Sequence, residues 1–263
     1  MPAADVAAAK AMTKYLQDAA SFLGLKKPDR VVLTKDIITS HPMASHDELE
    51  TVVRELYALP QREFHYTALE VFSKAKKVWE PKASLDLARY MVVTEPWWDT
   101  VDMIASHAVG GLRAKFPADR QLKATVASWI ADDSFWVQRA SILHQLRFRD
   151  KTDESLLFAS ASHLLSNKRD PAEYSHARER FFLDKAIGWA LRQYSTHNPE
   201  AVANYVAKHS SLMSKLTFRE ATRRLPADLR TELAPHADVG RKRAVRQARA
   251  SESNSAAEDE HKK

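Results

Sequence analysis

The segment Trp97-Trp98-Asp99-Thr100-Val101-Asp102 puts two indoles and two carboxylates next to one another. On a helix Trp98 and Asp102, four residues apart, share a face, whereas Asp99 falls on another. An indole is a stiff, flat, apolar surface with one polar edge, and its electron-rich face attracts cations. Paired with a carboxylate it suits a flat or positively charged ligand. Other chemistries are missing from the chain: there is no glycine-rich phosphate loop, no His-Glu-x-x-His helix and no G-x-S-x-G elbow. The absence of cysteine excludes disulfides and thiolate chemistry and fits a reducing compartment. His41 and His46 flank Pro42 with no ligand cluster nearby, so they read as exposed histidines in a loop, and no metal or other cofactor is expected.

The elements that must hold these residues are helices. Among 263 residues only five are glycine, 44% are hydrophobic, and the apolar positions recur at helical spacing. Pro28, Pro42, Pro60, Pro81, Pro96, Pro117, Pro171, Pro199 and Pro226 fall at or near expected helix starts, where a missing N–H costs least. An aromatic followed four residues later by a small residue repeats as Phe64 with Ala68, Trp136 with Ala140, and Phe182 with Ala186. Trp98 with Asp102 takes the second place in that series, and a weaker copy ends at Ala221. The successive aromatic offsets are 34, 38 and 46 residues, and the last is lengthened by a polar loop at Ser166-Asn167-Lys168-Arg169-Asp170-Pro171. Helix pairs with a period near forty residues predict an all-α fold, a right-handed α-solenoid of HEAT-like repeats with a concave face.

Within this repeat Asp102 stands where the other copies have alanine. A buried, unpaired carboxylate would cost several kcal/mol, so Asp102 is expected either to face an open groove or to meet a cation. Arg139 and Trp189, from later repeats, complete the candidate set. Each has a plainer reading. Trp98 and Trp189 taken singly resemble core residues, as Trp79, Trp129 and Trp136 do, and Arg139 could pair with Asp102 in a purely structural bridge.

A formal charge of +6 and a pI near 9.4 bias the chain modestly toward polyanions. No apolar run reaches membrane-spanning length, and Asp5 and Lys10 interrupt the alanine-rich start, so a cytoplasmic protein is expected, nucleoid-associated in a bacterium. One repeat domain is expected over residues 1–235. Residues 236–263, basic from Gly240 to Arg249 and then partly acidic, read as a disordered tail.

Four ordered stretches resemble the AlkD-like HEAT-repeat DNA glycosylases of alkylation repair. They are Glu55-Leu56-Tyr57-Ala58-Leu59-Pro60-Gln61-Arg62-Glu63-Phe64, the Trp97–Asp102 segment, Trp136-Val137-Gln138-Arg139-Ala140, and Lys185-Ala186-Ile187-Gly188-Trp189-Ala190-Leu191-Arg192. The resemblance runs from about Tyr15 to Arg224, and the longer loop near Pro171 and the tail depart from it. It implies excision of cationic N3- and N7-alkylated purines from double-stranded DNA by a monomer. By the same resemblance Asp102 supports catalysis, Trp98 and Trp189 contact the lesion nucleotide's backbone, Arg139 holds DNA phosphate, and the lesion need not enter a tight pocket. The alternative from a different class is a non-catalytic helical-repeat module that binds damaged or branched DNA, or a protein partner, through the same groove.

Overall fold

The computed structural model describes residues 5–168 and 170–237. Two compact units divide the chain, Met1–Arg147 and Phe148–Lys263. Among the described residues the fold is all-α; an isolated bridge between Ser21 and Gln61 is the extent of β pairing.

In the first unit α1 (Val6–Tyr15), α2 (Lys27–Ser40), α3 (His46–Tyr57), α4 (Arg62–Lys74) and α5 (Pro81–Val93) lead to a longer rod. That rod comprises α6 (Trp98–Met103), a π-turn (Ile104–Val109) and α7 (Gly110–Lys115). α8 (Arg120–Ser128) and α9 (Phe135–Leu143) close the unit. Starts follow local chemistry. Asp5 and Ser45 cap α1 and α3 through their side chains, Asp119 caps α8, and Pro28 and Pro81 sit in the first turns of α2 and α5. The core is built on Leu49, Phe72, Leu87, Met91, Ile104, Leu112 and Leu143. α3 packs on α4, and α9 packs on α5, on α6 and on the π-turn.

The second unit contains α10 (Glu154–Ser166), α11 (Glu179–Tyr194), α12 (Pro199–His209), α13 (Lys215–Thr222) and α14 (Ala227–Leu233). α11 is its centre, packing on α10, α12 and α13 around Leu165, Ile187 and Leu191. The insertion expected at Ser166–Pro171 is longer than its polar stretch, because α11 does not begin until Glu179. After Pro226 the short helix α14 is anchored by Leu233, which is buried. The basic and acidic stretches from Gly240 onward lie outside the described residues.

The repeat's small positions behave as close contacts demand. Ala68, Ala140, Ala186 and Ala221 are all completely buried. Trp79, Trp129 and Trp136 are core residues as expected. His46 corrects the reading of an exposed loop histidine: it begins α3 and is buried, because the turn after Pro42 brings the start of that helix inward. No described helix is long and apolar enough to cross a membrane.

Candidate active site

The Trp98–Lys115 rod carries the site, and two glycines fix where it lies. A Cβ on Gly110 would come 2.4 Å from the His144 carbonyl oxygen, and one on Gly111 would come 2.9 Å from the Trp79 ring. Only residues without side chains allow so close an approach. The rod is thereby held against the chain just beyond α9, the helix that carries Arg139. The π-turn widens the rod one turn after Asp102, and the Ser106 hydroxyl donates to the Asp102 backbone carbonyl at 2.8 Å. Such turns are frequent at functional sites.

Asp102 meets a cation. Arg139 donates from Nε to Oδ1 at 2.8 Å and from Nη2 to Oδ2 at 2.9 Å, a bidentate pair. The Arg139 side chain is 3% exposed and that of Asp102 is 13% exposed, so the carboxylate keeps an opening to solvent. Burial pushes the Asp102 carboxyl above the usual aspartate range. Arg139 pulls in the opposite direction, and the nearby charge of Asp99 adds to the upward push.

Trp98, one turn before Asp102, is half-buried and takes the exposed Tyr15 edge-on, with ring centroids 5.7 Å apart. Trp97 points elsewhere, into the core against Trp136. Asp99 is structural. Arg62 donates to its two oxygens at 3.0 and 2.7 Å, and the Tyr66 hydroxyl donates at 2.6 Å. Arg62 is fully buried and also donates to the Glu95 carbonyl and the Thr100 hydroxyl.

The first unit thus gathers Trp98, Asp102 and Arg139. Trp189 lies in the second unit, half-buried on α11 beside Gly188, where a Cβ would come 2.6 Å from the Glu220 side chain. Tyr15, Arg62 and Tyr66 escaped the sequence reading. A signal for the ion pairs was present: Arg62 with Asp99 and Asp102 with Arg139 are each 37 residues apart, close to one repeat. Complementary charges at the repeat period mark bridges between successive helix pairs. Among the described residues no cluster of three or more His, Cys, Asp or Glu side chains could hold a metal ion.

Chemically, this is an aromatic wall beside a carboxylate whose position is fixed by a buried guanidinium. It can hold a flat group and stabilise a cation.

No curated protein matches the chain. A solved structure, a predicted DNA alkylation repair enzyme from Enterococcus faecalis, shares the fold with a TM-score of 0.73 at 24% identity, over 86% of this chain and 98% of that one. Residues 2–225 match the profile of the DNA alkylation repair enzyme family, and over that length the chain belongs to it.

Proposed function

We propose that this protein is a monofunctional DNA glycosylase. It hydrolyses the N-glycosidic bond of cationic N3- or N7-alkylated purines in duplex DNA, 3-methyladenine and 7-methylguanine first among them, and leaves an abasic site. The observation that carries the reading is Asp102. In a repeat that otherwise places a fully buried alanine at this position, a carboxylate stands partly open to solvent, one turn from an indole.

A cationic alkylpurine is already a good leaving group and needs no general acid. As it departs, the bond's electron pair neutralises the base, and positive charge develops on the sugar as an oxocarbenium-like species. A fixed carboxylate stabilises that charge and orients the water that attacks C1′. Arg139 keeps Asp102 in place and brings positive charge toward the neighbouring phosphate. Trp98 and Trp189 contact the lesion nucleotide, each worth about 0.5–2 kcal/mol where an indole meets a cation, and Tyr15 extends the wall formed by Trp98. One chain suffices. Basic residues neutralise backbone phosphates, so binding weakens steeply with salt.

The test is release of 7-methylguanine from methylated duplex DNA, followed by alkali cleavage at the abasic sites. DNA bound without strand breaks, at enzyme excess, would identify a binding module instead.

A further inference from the structure

The rod that carries Asp102 also carries an exposed imidazole. His107 stands in the π-turn after Asp102, and its Nδ1 lies 2.9 Å from the Ser106 hydroxyl oxygen. That hydroxyl has a single hydrogen, which goes to the Asp102 carbonyl at 2.8 Å. The imidazole therefore donates from Nδ1 and, when neutral, carries a bare lone pair on Nε2. Cations from three other elements act on this ring. Lys76, in the 3-10 turn Lys76–Val78 that follows α4, is tied to the rod by Lys115, which donates to its backbone carbonyl. Arg147 follows His144, whose carbonyl Gly110 of the rod approaches closely. Lys27 opens α2 and lines a cavity of about 360 Å³ together with Trp98 and Met103, and His107 bonds the Met103 backbone. Lys27, Lys76 and Arg147 are all exposed, and among the described residues none of them makes an ion pair. On the rod itself, Asp102 is taken up by Arg139. Like charges gathered without a counter-charge repel one another until an anion joins them.

We propose that His107, Lys27, Lys76 and Arg147 form a phosphate site for the DNA strand beside the lesion, and that His107 takes up a proton on Nε2 as the phosphodiester docks. The inference rests on the DNA-repair reading given above and adds a proton to its binding step. Partial burial holds the free ring below the usual histidine range, Arg147, Lys27 and Lys76 push the same way, and the Met103 hydrogen bond opposes them. The free ring is thus kept neutral. A phosphate oxygen and a bare Nε2 are both acceptors and repel, whereas a protonated ring donates a charge-assisted hydrogen bond. The docked phosphate reverses the local charge and draws the proton from solvent. Binding is therefore tightest at low pH and weakens as pH rises through the value of the ring in the complex. A passive basic face has no such dependence, because lysine and arginine keep their charge throughout the neutral range. Lys27, shared with the cavity that Trp98 lines, sets this phosphate beside the indole wall.

The probe is an unmodified duplex, titrated calorimetrically into the full-length protein at low salt, at about pH 6 and about pH 8, in buffers of unlike ionisation enthalpy. Uptake of about one proton per complex is expected toward the lower pH, with affinity about five- to tenfold tighter there. His107→Gln should erase both effects and match the wild type at the higher pH, where the wild-type ring is neutral. A variant weakened by the same factor at both pH values, or one whose proton uptake is undiminished, overturns the assignment. Lys27→Met and Arg147→Met should each lower the slope of log affinity against log salt by about one, and unchanged slopes would overturn the phosphate site. Inorganic phosphate is the second probe: proton-linked saturation by it as tight as by the duplex would make this a site for the free ion and not for DNA. Excision of 7-methylguanine by a protein that takes up no proton on binding refutes the phosphate site alone. Proton-linked duplex binding by a protein that excises nothing refutes the glycosylase reading and leaves the phosphate site standing.

Discussion

Asp102→Asn separates a catalytic carboxylate from a structural one, because its two consequences differ greatly in size. In the native pair Arg139 donates to both carboxylate oxygens, and its guanidinium is almost wholly buried. Asparagine keeps one acceptor, so one charge-assisted hydrogen bond is lost, about 1.5–3 kcal/mol. Complete rupture of a buried pair, about 3–5 kcal/mol, is the ceiling. If the domain began at only about 5 kcal/mol and lost about 3, the remaining 2 kcal/mol would still leave about 97% of molecules folded. Unfolding therefore changes a measured rate by only a few per cent, and by about twofold even at the ceiling of about 5 kcal/mol. Removing a charge that stabilises a developing cation should lower the chemical step by about 10²–10³-fold, as for other preorganised electrostatic groups. Single-turnover release of 7-methylguanine, with melting curves on the same samples, reads both effects. A melting point lowered by the variant while the rate stays at the wild-type value would make the pair a strut and refute the mechanism.

Further expectations follow from the same geometry. Because burial holds the Asp102 carboxyl above the usual aspartate range, the acid limb of the excision profile should lie above that range, and Arg139→Met should move it higher still. Stability is linked with the matching sign: a carboxyl raised on folding contributes stability below its unfolded value, and that contribution is lost as pH rises through its folded value, which titrated melting curves would show. Gly110→Ala must push the rod off the His144 carbonyl, costing about 1–3 kcal/mol and weakening excision by separating Asp102 from Arg139; a wild-type melting point and rate would show that the contact is slack. Arg62→Met strands Asp99 with Tyr66 alone and should lower stability by about 3–5 kcal/mol in urea melts, against near neutrality if Asp99 rehydrates freely. Trp98→Ala should weaken binding to lesion-bearing duplex more than to undamaged duplex, and equal losses would remove Trp98 from the lesion contact.

What the sequence disclosed, and what it withheld, follows from the physics of the repeat. Periodicity exposes positions that every helix pair must solve in the same way, so the fully buried alanines at 68, 140, 186 and 221 were legible, and with them the exception at Asp102. The tryptophan pair divides at the helix start: Trp97, the extended N-cap of α6, reaches the core, and Trp98, the helix's first residue, stays half-buried. Contacts between elements of unlike type were not legible. Tyr15 ends the first helix, outside the aligned series, and only the folded chain makes it a neighbour of Trp98. His46 looked exposed because proline and polar residues surround it, yet burial depends on where a turn delivers the next helix. The π-turn leaves no periodic trace, being a single widened turn that ends where Gly110 begins α7. Two arginine–aspartate bridges at one spacing show what a more physical reading would look for. In a stacked repeat, complementary charges one period apart are placed to pair, and the carboxylate that accepts fewer hydrogen bonds is the one able to do chemistry. Arg62 and Tyr66 close three donors on Asp99, whereas Asp102 keeps its outward edge. That difference in saturation, rather than the presence of a carboxylate, singles out Asp102.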